Sequence, residues 1–367
     1  MRAPKQFEST REHLPSLVSV IRQARKLLIL THENPDPDCI ASSFSLRHLA
    51  RNSARVNADV AYAGMIGRAE NRAMIRLLEF DMLHTDRIDW EEYDMIAAVD
   101  YQPRQNWRRL PGNRTPTIII DHHPRRHVPE SALFVDIRRG FGANSTIMSQ
   151  YLRAARLTIP KNLATGLIYG ILSDTQQFTR GATPDDLDAY LHLFARCDHA
   201  SLSQIMHPTV DISYLRDYWR GFRSARQTAD VITCSIGPMC VPDLISDVAD
   251  RMIAIRGIRW ALVMGIHGEV LYLSLRSRKT RRDAGQLIRR LVGRKGSAGG
   301  HGFMAGGQIR IRPRDNPEAL GDRLSNQFIR LIHGARALTL PSVPLIDTPH
   351  CDLDQTALKS APPHAEY

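Results

Sequence analysis

The chain has 367 residues, 43% hydrophobic and 24% charged, a balance that excludes wholesale disorder and fibrous repeats and leaves room for two domains, each with its own core. No apolar run approaches the roughly 20 residues that cross a bilayer, and charges with Pro4 and Pro15 interrupt the first residues. Neither a membrane helix nor a secretory leader is therefore expected, and a cytoplasmic location is. The net charge of +11 favours polyanionic partners such as nucleic acid or nucleotides.

In chain order, Lys26 to Thr31 is an apolar run, followed by a helical pattern from about Asp38 to Asn52, a second run from Val56 to Ala63 and a helix near Ala69 to Phe80. This is the rhythm of a parallel sheet. Tyr93 to Val99 and Thr117 to Ile120 add two buried-strand candidates, so at least four strands are expected. From Ala143 to about Ala225 the pattern is mainly helical, with Thr183-Pro184 opening one helix. A second domain is expected beyond a boundary near residues 226 to 230. It holds Val231 to Ile236, a helix from Pro242 to Arg256, and two strands, Trp260 to Ile266 and Val270 to Leu275, joined by the turn His267-Gly268-Glu269. Arg276 to Lys295 carries nine basic residues and one acid, Asp283, a run that alone reads as a solvated face. After about Arg336 apolar residues thin out, which predicts a disordered tail over residues 337–367.

Four short stretches carry chemistry. His32, Asp36 and Asp38 follow the first strand candidate, where Asp38 is also a candidate helix cap. Asp100 ends the run Met95 to Val99, Asp121-His122-His123 follows the strand at Thr117 to Ile120, and Asp174 ends Ile171-Leu172-Ser173. Each apolar element delivers its acid or imidazole at its carboxyl end, so a parallel sheet would gather all of them at one rim. Nitrogen and oxygen ligands clustered in this way need cations, and carboxylate with imidazole suits Mn²⁺, Mg²⁺ or Fe²⁺ better than a closed zinc site. Two such ions could share one carboxylate and clamp an in-line phosphoryl displacement by metal-activated water. Cys39 reads as a small buried helix residue, and the five cysteines, odd in number and without a CxxC pair, fit a reduced compartment.

His32-x-Asn34-Pro35-Asp36-x-Asp38, Asp100, Asp121-His122-His123 and Ser173-Asp174 resemble the four sequential motifs of the DHH phosphoesterase superfamily. That resemblance implies one metal held by His32, Asp36 and Asp100 and a second held by Asp38, Asp100, His122 and Asp174, with Asp100 bridging. It also implies that His123 faces the scissile phosphate and that Asp121 orients the histidine pair. Ser274-Leu275-Arg276-Ser277 and Gly299-Gly300-His301-Gly302-Phe303-Met304-Ala305-Gly306-Gly307 resemble the substrate-binding motifs of a DHHA1 domain, with Arg276, Gly299, Gly300 and His301 as the implied phosphate or base contacts.

The resemblance spans about residues 20 to 335 and is closest to the nanoRNase and phosphoadenosine-phosphate phosphatase branch, from which Pro37, Cys39, Ala41 and Met304 depart. It implies an α/β architecture. After an N-terminal extension (1–20) would come a DHH domain with a parallel sheet under helical cover (21–226), a smaller α/β DHHA1 domain (230–336) and the tail. The implied activity is hydrolysis of short oligoribonucleotides or 3′-phosphoadenosine 5′-phosphate with two divalent cations, Mn²⁺ first. Cyclic dinucleotides are the alternative substrates, with pyrophosphatase activity or simple nucleic-acid binding ranked lower; a homodimer is compatible with this reading.

Overall fold

The computed structural model describes residues 5–102, 110, 114–124, 128–278 and 282–346, which form two compact units, Met1–Thr209 and Val210–Tyr367. The first unit contains α1 (Lys5–Ile21), β1 (Lys26–Leu30), α2 (Pro37–Leu49), β2 (Asn57–Tyr62), α3 (Ala69–Leu78), β3 (Met82–His84), β4 (Met95–Val99), β5 (Ile118–Asp121) and β6 (Phe134–Ile137), then the helices α4 (Asn144–Ala154), α5 (Lys161–Asp174), α6 (Pro184–Phe194) and α7 (His199–Met206). Its six strands run parallel in the order β3-β2-β1-β4-β5-β6. Alternate residues of β1 enter different cores, Leu27 and Ile29 on one face and Leu28 and Leu30 on the other. Burial on both faces is why β1, β4 and β5 are continuous apolar runs. The sheet grows outward from β1 to β2 and β3, then restarts on the other side of β1 with β4. The crevice at the carboxyl ends of β1 and β4 is therefore a topological switch point, the place where such sheets bind ligands.

The expected N-terminal extension is instead a helix of this core. Leu17, Val20 and Ile21 of α1 are buried in the main cluster, and the Thr10 hydroxyl donates to Gln150 Oε1 of α4 at 2.9 Å.

The second unit opens with α8 (Ile212–Ser224) and continues through β7 (Arg226–Thr228), β8 (Val231–Pro238), α9 (Leu244–Ile253), β9 (Trp260–His267), β10 (Val270–Ser277), α10 (Ala284–Val292), β11 (Gly296–His301), β12 (Met304–Arg310), α11 (Pro317–His333) and β13 (Ser342–Pro344). Its seven-stranded sheet has the order β11-β12-β10-β9-β8-β7-β13 and is antiparallel except for the β8/β9 pair. The unit begins earlier than the expected boundary near residues 226 to 230, because α8 belongs with it. Tyr214 and Tyr218 pack into the cluster under β8 and α9, and Gly221 lets α8 approach Ile236 and Val248. The tail is also ordered further than expected. Ser342–Pro344 pairs with β7, and the Leu345 amide donates to the Ala225 carbonyl at 2.8 Å. A three-residue edge strand is held by backbone pairing, which apolar content does not report. Residues 347–367 lie outside the described residues.

Candidate metal centre

β1 stops at Leu30, and the chain turns through His32 and Asn34 into α2, which Pro37 starts at its first position. Asp36, not Asp38, is the cap of this helix: its carboxylate accepts the Cys39 amide at 3.0 Å. Asp38 is buried inside the first turn, and both of its oxygens are engaged by backbone. The Asn144 amide donates to Oδ2 at 2.6 Å and the Ser145 amide to Oδ1 at 2.7 Å, so the carboxylate sits on the amino terminus of α4.

Asp100 follows β4 with φ of 64°, a left-handed conformation that costs a non-glycine residue about 1–3 kcal/mol; its amide is tied to the Ile120 carbonyl of β5 at 2.9 Å. Asp121 is the last residue of β5. Of the two readings the sequence leaves for Asp174, a strand end or a helix end, the structure has the helix: it ends α5, so the rim is built from three strand ends and one helix end.

The side chains converge on Asp100. His32 Nε2 lies 3.7 Å from Asp36 Oδ2 and 3.9 Å from Asp100 Oδ2. His122 Nε2 lies 3.4 Å from Asp100 Oδ1, 3.4 Å from Asp174 Oδ2 and 4.0 Å from Asp38 Oδ2. Among the described residues, potential ligand atoms of Asp38, His122 and Asp174 lie within 4.8 Å of one another, as do those of Asp100, His122 and His123 and those of His32, Cys39 and Asp100. Cys39 nevertheless donates its thiol to the Val99 carbonyl at 3.2 Å, and burial pushes that thiol up to about 12, which keeps it a structural residue.

The imidazole tautomers show that this group fits a cation. His32 Nδ1 faces the Glu33 carbonyl at 3.1 Å and His122 Nδ1 faces the Phe141 carbonyl at 3.1 Å. A carbonyl only accepts, so each Nδ1 carries a proton, and each Nε2 is the atom turned toward the carboxylates. Lone pair against carboxylate repels unless a proton or a cation stands between them. His122 Nε2 and Asp100 Oδ1 are buried with no hydrogen-bond partner, a pair of orphaned atoms that a divalent ion with nitrogen and oxygen ligands would satisfy. Burial first, and neighbouring carboxylates second, hold Asp38, Asp100 and Asp174 above the usual carboxylate range, Asp174 at about 6.

Asp121 touches His123 alone of the histidine pair. Its Oδ1 accepts His123 Nδ1–H at 2.9 Å while Oδ2 accepts Gln102 Nε2 at 2.5 Å; the Phe141 carbonyl orients His122. The side chain of His123 is 34% exposed against 10% for His122, which puts His123 on the solvent side of the centre. Sequence patterns miss Gln102, Phe141 and the α4 amides, since a lone amide or a main-chain group leaves no spacing signature. Gly170 is likewise missed: a Cβ there would lie 2.3 Å from Ser145 Oγ and 3.1 Å from Asp38 Oδ1.

The implied substrate contacts Arg276, Gly299, Gly300 and His301 lie on β10 and β11 of the second unit. Arg276 is buried and committed, its Nε donating to Asp250 and its Nη1 to Ser274 Oγ at 3.0 Å. Gly299 and Gly300 lie in β11, paired with Gly306 and Ala305 of β12. Gly300 requires glycine through its φ of 126° and because a Cβ there would lie 2.5 Å from Ala305 Cα and from the Met304 carbonyl oxygen, while α10 approaches so closely that a Cβ at Gly285 would stand 1.9 Å from the Gly300 carbonyl oxygen. The backbone of His301 ends β11, and its side chain lies outside the described residues.

The uncharacterized protein MJ1633 of Methanocaldococcus jannaschii is 34% identical over 285 residues, 77% of this chain and 58% of that protein. A protein of Enterococcus faecalis named "Probable manganese-dependent inorganic pyrophosphatase" is 24% identical over 45% of the chain and 53% of its own length. The Mycoplasma genitalium "Bifunctional oligoribonuclease and PAP phosphatase NrnA" is 26% identical over 44% of the chain and 50% of its own length. The chain thus spans about half the length of the curated relatives it matches. A crystal structure of an exopolyphosphatase-related protein from Bacteroides fragilis superposes with a TM-score of 0.63 at 17% identity, covering 88% of this chain and 95% of that one, and shares the fold. The family model described as the DHH family, N-terminal domain, matches residues 26–171, the stretch that supplies His32, Asp36, Asp38, Asp100 and the Asp121-His122-His123 run, and this part of the chain is similar to that family.

Proposed function

We propose that the chain is a phosphoesterase dependent on two divalent cations, Mn²⁺ first, acting on short oligoribonucleotides or 3′-phosphoadenosine 5′-phosphate. The observation that carries this is the convergence of Asp38, Asp100 and Asp174 on a buried His122 whose Nε2 has no hydrogen-bond partner. His32, Asp36 and Asp100 would hold one ion, and Asp38, Asp100, His122 and Asp174 the other. When bound, such ions supply Lewis acidity toward a phosphoryl oxygen and a nucleophile from water at neutral pH.

The residues around them have separable tasks. Asp100, placed by its left-handed backbone between His32 and His122, is the shared ligand. Asp121 positions His123 by holding its Nδ1–H, which leaves the ring on the solvent side to donate to a substrate phosphate. The Phe141 carbonyl and the α4 amides hold His122 and Asp38 in place before any ion arrives. Substrate capture is assigned to Arg276, Gly299, Gly300 and His301 of the second unit; Arg276 would exchange its Asp250 partner for a phosphate, a trade between two charge-assisted bonds. The basic residues that follow it favour an anionic substrate.

The test is a panel of diribonucleotides, 3′-phosphoadenosine 5′-phosphate, cyclic di-AMP and pyrophosphate, each assayed with and without Mn²⁺. Metal-dependent turnover of the first two is expected. Hydrolysis confined to pyrophosphate, or turnover that survives chelation, would overturn the reading.

A further inference from the structure

The segment 141–145, which leads into α4, meets the residues assigned to one of the two ions. The Phe141 carbonyl faces His122 Nδ1 at 3.1 Å, and the Asn144 and Ser145 amides donate to the two oxygens of Asp38 at 2.6 and 2.7 Å. Between them, Gly142 stands against the residue after Asp174: a Cβ at Gly142 would lie 2.6 Å from Thr175 Cγ2. The residues assigned to the other ion alone have different supports, the Glu33 carbonyl for His32 and the Cys39 amide for Asp36.

This segment is braced in turn by Asp186, a fully buried residue in the first turn of α6. Its Oδ2 accepts the Gly142 amide at 2.9 Å, and its Oδ1 accepts the Thr146 hydroxyl at 2.5 Å. The same Oδ2 accepts the Thr183 amide and hydroxyl, both at 2.7 Å, within the capping box that starts α6. A capping box needs only the Thr183 contacts. It accounts neither for the complete burial of a carboxylate, which is costly without further hydrogen bonds, nor for two bonds that reach back more than one element to residues 142 and 146.

The Phe141 carbonyl and the Gly142 amide belong to one planar trans peptide, whose C=O and N–H point in opposite directions. A charge-assisted bond from Asp186 at the amide end therefore orients the carbonyl that holds His122 at the other end. Through Thr146 the same carboxylate holds the first turn of α4, whose amides hold Asp38. We infer that Asp186 is a positioning residue for one of the two ion positions, that of Asp38, His122 and Asp174, acting through the Phe141–Gly142 peptide and the start of α4. The inference rests on the two-cation reading above and goes beyond it, by assigning the affinity of one position to a carboxylate outside the ligand set.

The experiment titrates Mn²⁺ by calorimetry into the metal-stripped full chain, as wild type, Asp186→Ala, Asp186→Asn, Gly142→Ala and Thr183→Ala. Circular dichroism melts are taken on the same samples, and nucleotide hydrolysis is followed in parallel. The wild type should take up two equivalents. Asp186→Ala should weaken one of them by about 10- to 100-fold, the usual effect of losing the partner behind a ligand, and leave the other within about threefold. Asp186→Asn, which keeps an oxygen for the Gly142 amide, should recover most of that loss. Gly142→Ala should repeat the selective loss by displacing the peptide itself, and it carries the test if Asp186→Ala does not fold. Thr183→Ala should lower Tm and leave both affinities unchanged, because it removes the helix cap and spares the Gly142 bond. Two wild-type affinities in Asp186→Ala, equal weakening of both, or the same selective loss in Thr183→Ala would overturn the brace and leave the proposed function standing. Selective loss in a protein that hydrolyses no nucleotide would keep the brace and refute the proposed function. A wild type that binds no Mn²⁺ would overturn both.

Discussion

At the residue scale, the two adjacent histidines have separate environments and should have separate roles. His122 is nearly enclosed and faces three aspartates, whereas His123 is held by Asp121 and looks outward. His123→Ala should therefore lower turnover by about 10²-fold or more, the usual contribution of a positioned donor, while elemental analysis still finds the full metal content. Loss of one equivalent of metal in that variant would exchange the two roles. Asp121→Asn should give a milder version of the same effect, because it disturbs only the hydrogen bond that sets the ring of His123.

At the element scale, the centre depends on how closely α5 and α4 pack around Asp38. Gly170 has no room for a side chain. An added methyl would press on Ser145 Oγ, which can rotate, and on the Asp38 backbone, which cannot. Gly170→Ala should cost about 1–3 kcal/mol of stability by overpacking and should weaken Mn²⁺ binding as well, since it displaces a ligand. Calorimetric titration of the folded variant reads the second effect separately; unchanged Mn²⁺ affinity would show that Asp38 is not held by this contact.

What the sequence reveals at this scale follows from physical signal strength. The strands β1, β4 and β5 are legible because burial on both faces makes them unbroken apolar runs. The strands β3 and β6 are not, being three and four residues long with mixed burial. Ile171-Leu172-Ser173-Asp174 reads equally as strand or helix end, and only the packing of α5 decides it. The glycines of β11 leave no strand signal because glycine is a poor strand former; the close approach of β12 at Gly296 and Gly300 is what requires them. The candidate ligand side chains are legible because they stand at the ends of recognisable elements, whereas Gln102, the Phe141 carbonyl and the α4 amides act through contacts that no spacing encodes.

At the scale of the whole molecule, the centre links metal, proton and stability. Asp38, Asp100 and Asp174 are raised above the usual carboxylate range by burial and by their neighbours, Asp174 to about 6. A carboxyl with a higher pKa in the folded than in the unfolded chain binds protons preferentially when folded. Its effect on the metal-free protein is therefore a stability that falls as pH rises from about 4 through about 6. Mn²⁺ takes the place of those protons, so the gain in Tm on adding Mn²⁺ should be small near pH 5 and grow toward about pH 8. Thermal melts with and without chelator at several pH values check this, and a gain independent of pH would mean that the ions bind elsewhere. No helix among the described residues is long and apolar enough to cross a membrane.

The central claim is that one shared carboxylate, Asp100, joins two metal positions in a phosphoesterase centre. The most direct measurement is Mn²⁺-dependent hydrolysis of a diribonucleotide by the wild type and Asp100→Asn, with metal content determined on the same samples. The wild type should carry two equivalents and turn over. Asp100→Asn should lose metal at both positions and fall below about a tenth of wild-type activity even at saturating Mn²⁺, because both ions share that ligand. A variant that retained both equivalents and wild-type turnover would contradict the account.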